Sequence, residues 1–424
     1  VHWIPRALLV LAALVTTTVA ALFAEWIPVL GKNERYALKF ITRTGTPPGG
    51  ENAFAALWFP AFEVPIDQLE SVVQADLRVV ATHGWLGFSS AAAQYPLRPD
   101  PKSAEGVCTG EWTEDCLSLV RRQPLVTRQS LEQLVTWLDL SDYLRTFGHL
   151  RNPLPVNLDS PIPDLGGIAN VTVTRAALTF IDADAQSGLE DACRTVLTWR
   201  RLRTGTDMLI ASMLAIEYSS VALRLVSEML AELPQDAPLP LSCTDALAPL
   251  SANEVETCEL HRGEFRSLAN SLSETYFFEQ RVKDARGMTF GRHVMSAVYN
   301  SRHTAGHIAT QFASACGLEV SRSTRCSGAA QLLNPFGCGF VANFRLEAEY
   351  IPVRIADFDR RLALARAARW WRTQPSASTG DRAAWPDEFA AIRDQIILDP
   401  ATRTLALPMR DTRNPKRRVF RVRY

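Results

Sequence analysis

The sequence predicts a mainly α protein: a helical bundle built around an antiparallel helix pair at 187–233, with an apolar N-terminal helix and a small β element at the C-terminus. Three observations predict it. Apolar residues recur at i, i+3, i+4 and i+7 over several long stretches, which is the period of a helix face. Ala7–Ala24, ALLVLAALVTTTVAALFA, is a run of eighteen residues without a charge. Beyond Gln395 the pattern changes to alternation, ending in RRVFRVRY, as expected of a half-buried strand.

The N-terminal run comes first. In a helix it would cover roughly 27 Å, close to the hydrocarbon thickness of a bilayer. Glu25-Trp26 then places a charge and an aromatic at the membrane–water boundary. We therefore expect a signal anchor over 1–25 that holds the bulk of the chain in the periplasm at a bacterial inner membrane. The alternative is a signal peptide cut near Thr18-Val19-Ala20 or Val19-Ala20-Ala21, where small residues cluster. The charges argue the other way: Arg6 precedes the run, whereas Lys32, Arg35, Lys39 and Arg43 follow it. On that count alone the bulk would stay in the cytoplasm.

The 424 residues, 47% hydrophobic and 21% charged, suffice for a large core and more than one packed unit. Lys+Arg and Asp+Glu are both 45, so no net field favours nucleic acid, and none is expected as a partner. The eight cysteines are compatible with four disulfides in an oxidising compartment, and no C-x-x-C spacing occurs. The expected pairs are Cys108–Cys116, Cys243–Cys258, Cys316–Cys326 and Cys193–Cys338. The short polar loop VCTGEWTEDC is the strongest basis among these.

Along the chain, 26–50 reads as a linker ending in GTPPGG. An N-terminal helical region over 51–160 follows. It contains a helix from Ile66 to Ala81, with Leu69, Val72, Val73, Leu77 and Val80 on one face, and a second from Ser130 to Phe147. NPLPVNLDSPIPDLGGI reads as a long connector, and the helical core is expected over 161–393. Ser187-Gly-Leu-Glu190 has the capping-box pattern and opens a helix to about Arg203. Thr204-Gly205-Thr206 breaks it, and the next helix runs from Asp207 to Leu233, before Pro234. Its apolar residues wrap most of the circumference, interrupted by Glu217 and Arg224, as in the central helix of a bundle. Val255 to Ala285 keeps a helical period, and shorter helices are expected at 290–300 and 304–315. LLNPFGCGF reads as a turn-rich insertion, Tyr350 to Thr373 as a helix, and 394–424 as a small sheet with Phe420, Val422 and Tyr424 on one face.

Candidate chemistry is sparse. His83-Gly84-Trp85-Leu86-Gly87 has the form of the oxyanion loop of α/β hydrolases, but no G-x-S-x-G elbow follows. His303 and His307 share a helix face, with His293 upstream and Glu274 or Glu279 available as a further group. That is half of a zinc site, without the glutamate that a zincin places between its histidines. No metal or other cofactor is expected. The cations Arg410, Arg413, Lys416, Arg417, Arg418, Arg421 and Arg423 suit an anionic surface, with Arg417, Arg418, Arg421 and Arg423 as its core. A charged edge strand that discourages self-association accounts for the same residues. There is no Walker loop, no G-x-G-x-x-G after a strand and no Cys/His metal box.

The strings ENAFAALW (51–58), TWRRL (198–202), HRGEF (261–265), LLNPFG (332–337) and DPATRTL (399–405) resemble those of uncharacterised, membrane-anchored proteins of Gram-negative bacteria. The resemblance implies an exported helical protein and brings no catalytic residue with it. The resulting expectation is a membrane-anchored periplasmic protein, a non-catalytic scaffold or accessory subunit with a protein partner in the envelope. The alternative is a periplasmic hydrolase whose site draws on His303, His307 and Glu274 or Glu279.

Overall fold

The computed structural model describes residues 10–16, 30–85, 87–109, 115–157, 159–162, 165–182, 184–273, 299–322, 325–326, 331, 334–344, 346, 350–373, 385–415 and 418–424. They are mainly helical, with one three-stranded antiparallel sheet at the C-terminus. In chain order the helices are α1 (Lys32–Ile41), α2 (Phe54–Leu57), α3 (Leu69–His83), α4 (Cys116–Arg122), α5 (Pro124–Gln133), α6 (Val135–Leu144), α7 (Gly166–Ile181) and α8 (Ala185–Thr204). Then come α9 (Leu209–Glu232), α10 (Leu241–Leu247), α11 (Ala252–Val255), α12 (Cys258–Ser271), α13 (Ser301–Ala315), α14 (Pro335–Asn343), α15 (Tyr350–Arg372) and α16 (Ala390–Arg393). The strands are β1 (Ile397–Asp399), β2 (Thr404–Pro408) and β3 (Val419–Arg423). The chain divides into two compact units, one of residues 1–43 and 268–346, the other of 44–267 and 347–424.

The larger unit is organised around α8 and α9, the helix pair that the periodicity predicts. Ile216, Leu223, Val226 and Met229 of α9 are fully buried, as are Leu189, Val196 and Leu202 of α8. Among the described residues α9 is the helix long and apolar enough to cross a membrane, and 56% of its apolar window is buried inside the protein. It packs against α8, α7 and α15, as a core helix does. Its two charges have local explanations. Glu217 accepts from Arg354 Nη2, and Arg224 lies 3.7 Å from Glu228.

The arginines of α15 tie the terminal sheet to this core. Arg354, 2% exposed, also donates to Asp411 Oδ2 at 3.1 Å, and Arg361 donates to Ser220 Oγ at 2.6 Å while lying over the Phe420 ring. Asp357 accepts from the backbone of Arg410 and Asp411 at 2.8 and 2.9 Å. Arg354 is thus paired with carboxylates, whereas Arg361 and Asp357 are held by hydrogen bonds to neutral groups, which lowers the cost of burying them. In the sheet, β2 pairs with β1 and β3, with Leu407 opposite Phe420 and Leu405 opposite Val422. Phe420 and Val422 face the core as the alternation requires, and Tyr424 is half-buried.

Several expectations need correction. The helix over Ser130 to Phe147 is two helices, α5 and α6, because Leu134 leaves helical geometry (φ −100°, ψ 18°). Asp184, not Ser187, caps α8, accepting from Ser187 N at 3.0 Å. The connector ends at Leu165, and α7 then supplies a long buried helix that no sequence signal announced. LLNPFGCGF is not an insertion of turns: Asn334 caps α14 and Pro335 opens it. The helix expected from Val255 is interrupted, with α12 beginning at Cys258; its stretch beyond 273 and that at 290–298 lie outside the described residues.

Three of the four expected bridges do not form. Cys108–Cys116 forms, but Cys193 bonds Cys243 and Cys326 bonds Cys338, so the expected 243–258, 316–326 and 193–338 pairs do not. Cys258 and Cys316 are disulfide-bonded as well. Of the N-terminal run, 10–16 is helical and exposed, and the rest lies outside the described residues.

Candidate functional site

Among the described residues of the smaller unit, a set of buried ionisable and hydrogen-bonding groups gathers where α1, α13 and the start of α14 meet. Asn300 caps α13, its Oδ1 accepting from His303 N at 2.8 Å. One and two turns into the helix, His303 and His307 present their rings on the same face, 1% and 7% exposed. Helix α1 packs against α13, and Leu30, just before α1, lies over Gly306, where a Cβ would come within 2.2 Å of Leu30 Cδ2.

The two imidazoles meet edge to face, with Nε2 to Nε2 at 3.0 Å and ring centroids 4.4 Å apart. Asn334, fully buried, decides which ring carries the shared proton. Its Oδ1 accepts from Asn300 N at 2.9 Å and Gly337 N at 3.1 Å, which fixes the orientation of the amide. Its Nδ2 therefore faces His303 Nδ1 at 2.9 Å, Thr304 Oγ1 at 3.0 Å and Asn300 O at 3.2 Å. His303 Nδ1 must then be an acceptor, so the ring is protonated on Nε2 and donates to His307 Nε2. His307 in turn is protonated on Nδ1, which lies 3.7 Å from Glu34 Oε1 on α1. A polar chain Asn334–His303–His307–Glu34 results.

Its electrostatics follow from burial. Desolvation, reinforced by the neighbouring His307, pushes the His303 pKa down to about 4. Desolvation also lowers that of His307, against the pull of Glu34. Both rings are accordingly neutral near pH 7, one donating and one accepting. Gly337 completes the seal, because a Cβ there would lie 2.0 Å from Thr304 Oγ1.

Cys326 closes the remaining side, with ligand atoms of His303, His307 and Cys326 all within 4.8 Å of one another. Its sulfur is bonded to that of Cys338 in α14.

The structure thus brings together His303 and His307, while Glu274, Glu279 and His293 lie outside the described residues. Sequence reasoning missed Asn334 and Glu34. The signal for Asn334 was present in Asn-Pro-Phe-Gly, an N-cap followed by proline at the first helical position. His83 and Gly84 form no oxyanion loop: α3 ends there, with Gly84 at φ +69° and its N–H bonded to Val80 O at 2.9 Å. Ser90 in the nearby serine stretch donates to the buried carboxylate of Asp76.

Of the C-terminal cations, Arg423 pairs with Asp115 at 2.5 Å, Arg418 Nε donates to Thr412 O at 3.1 Å, and Arg421 is exposed on the edge strand β3. Arg417 lies outside the described residues. In the larger unit burial, aided by Asp115, pushes the Glu228 carboxyl up to about 8.

No protein-family model, curated protein or solved structure matches the chain.

Proposed function

We propose that the chain is a non-catalytic scaffold or accessory subunit of an envelope complex, anchored at the bacterial inner membrane through Ala7–Ala24 with its body in the periplasm. The observation that carries this reading is that all eight cysteines are disulfide-bonded and none is free. Such bridging is rare in a reducing cytosol and ordinary in the periplasm. The N-terminal segment adds support. Val10, Leu11, Leu14 and Val15 are each more than half exposed on a helix, a state that lipid stabilises and water does not. The burial of both histidines fits a structural role.

A reporter enzyme that is active only outside the cytoplasm, fused after Tyr424, tests the topology. Activity supports the reading, and a fusion active only as a cytoplasmic reporter overturns it. Purification from membranes with one stoichiometric protein partner supports the scaffold role.

A second reading, a periplasmic hydrolase, is favoured by one observation: the alignment Glu34–His307–His303, in which a carboxylate faces one imidazole and that imidazole faces another. It requires that His303→Ala abolish a hydrolytic activity while leaving the fold intact.

A further inference from the structure

We propose that His303, His307, Cys326 and Cys338 form a tetrahedral site for a zinc-class divalent cation, opened when the Cys326–Cys338 bond is reduced. The ligand atoms of the two histidines and Cys326 already lie within 4.8 Å of one another, and all three residues are buried. The sulfur of Cys338 is held against that of Cys326 by the bond itself. The two Nε2 atoms, 3.0 Å apart, are a few tenths of an ångström short of the roughly 3.3 Å that two zinc-bound nitrogens keep. Two imidazoles and two thiolates select zinc and its congeners over magnesium or calcium.

A second feature points to the same ligand class. Glu34 Oε1 faces His307 Nδ1 at 3.7 Å. A carboxylate behind a histidine is the usual outer partner of a metal-bound imidazole, holding the proton on Nδ1 and leaving the Nε2 lone pair for the cation. His303 lacks that help, because Asn334 presents a donor to its Nδ1. Binding therefore requires the His303 proton to move from Nε2 to Nδ1 and the Asn334 amide to turn away. Asn334 thus acts as a brake on the site.

The chemistry balances with a dithiol as reductant. Its two thiol protons and two electrons pass to Cys326 and Cys338, the S–S bond breaks, and the donor leaves as a disulfide. The cation then replaces the two thiol protons, which are released to solvent. Bridge and metal are alternatives for the same two sulfurs. The inference goes beyond the envelope reading and does not rest on it.

The test uses the full chain with Cys338→Ala, prepared without reductant, so that Cys326 is a thiol while the other bridges persist. Cobalt(II) is the probe. We expect one equivalent to bind with a thiolate-to-cobalt charge-transfer band, and zinc to displace it. Adding His303→Ala and His307→Ala should weaken binding at least about tenfold, and adding Asn334→Asp should tighten it by about tenfold. Should Cys338→Ala not fold, wild-type protein reduced with a phosphine and shown by circular dichroism to stay helical is titrated instead, with the same expectation. Folded protein that takes up no cobalt, or takes it up without the charge-transfer band or regardless of the histidines, overturns the proposal. The outcome is independent of the Tyr424 fusion, so either idea can fail alone.

Discussion

Asn334 Nδ2 donates to His303 Nδ1 across 2.9 Å, and this one contact sets the tautomer of both buried histidines. The same amide caps α14 and accepts from Asn300 N, so it joins the starts of two helices. Asn334→Ala leaves several buried groups unpaired and should cost about 3 kcal/mol. Urea denaturation followed by circular dichroism measures it. Asn334→Asp keeps the acceptors and should raise the His303 pKa from its value of about 4, which histidine NMR titration reads directly.

The histidine pair also makes stability pH-dependent. Folding depresses the His303 pKa to about 4 and lowers that of His307, so between pH 6.5 and 4 the unfolded chain takes up protons that the folded chain refuses. Stability therefore falls as pH drops through this window, by up to about 1.4 kcal/mol per pH unit for each imidazole. Above pH 6.5 the contribution is flat. Denaturation midpoints at pH 7.5, 6 and 5 check it, and His303→Gln should have a shallower slope.

The bridges should differ in strength with the loops they close. Cys193–Cys243 spans 50 residues and Cys108–Cys116 spans 8. Loop entropy then predicts about 4 kcal/mol for the first and about 2.5 kcal/mol for the second. Paired Cys→Ala variants compared by urea denaturation give the ordering, and equal losses would argue against it.

Arg354 carries two carboxylates, Glu217 on α9 and Asp411 before β3. Arg354→Met removes the guanidinium that both carboxylates face, one of them the buried Asp411, and should cost about 3 kcal/mol. Hydrogen exchange should show the loss first in the amides of β2 and β3.

How much of this was legible in the sequence depends on the kind of signal. The α8–α9 pair and the terminal strands announce themselves, because hydrophobic period reports directly which face is buried. Helix α7 was missed because nearly every position in it is buried, so no polar face marks a period. Helix α14 was missed because Gly337 and Gly339 look like turn residues; the first is there to let Thr304 and Asn334 close in. The bridges were mispaired for a geometric reason. Neighbours in sequence were assumed to be neighbours in space, whereas Cys193–Cys243 links α8 to α10 across 50 residues. His303 and His307 could be put on one face from their spacing alone. Their partners Asn334 and Glu34 come from distant segments, and only the fold brings them there.

An oxidised, disulfide-stapled body outside the cytosol is tested by a thiol count on protein taken from its own cells into acid, then alkylated in denaturant without reductant and weighed by mass spectrometry. None of the eight cysteines should be alkylated until reductant is added, when all eight become accessible. Eight alkylated cysteines before reduction would contradict it.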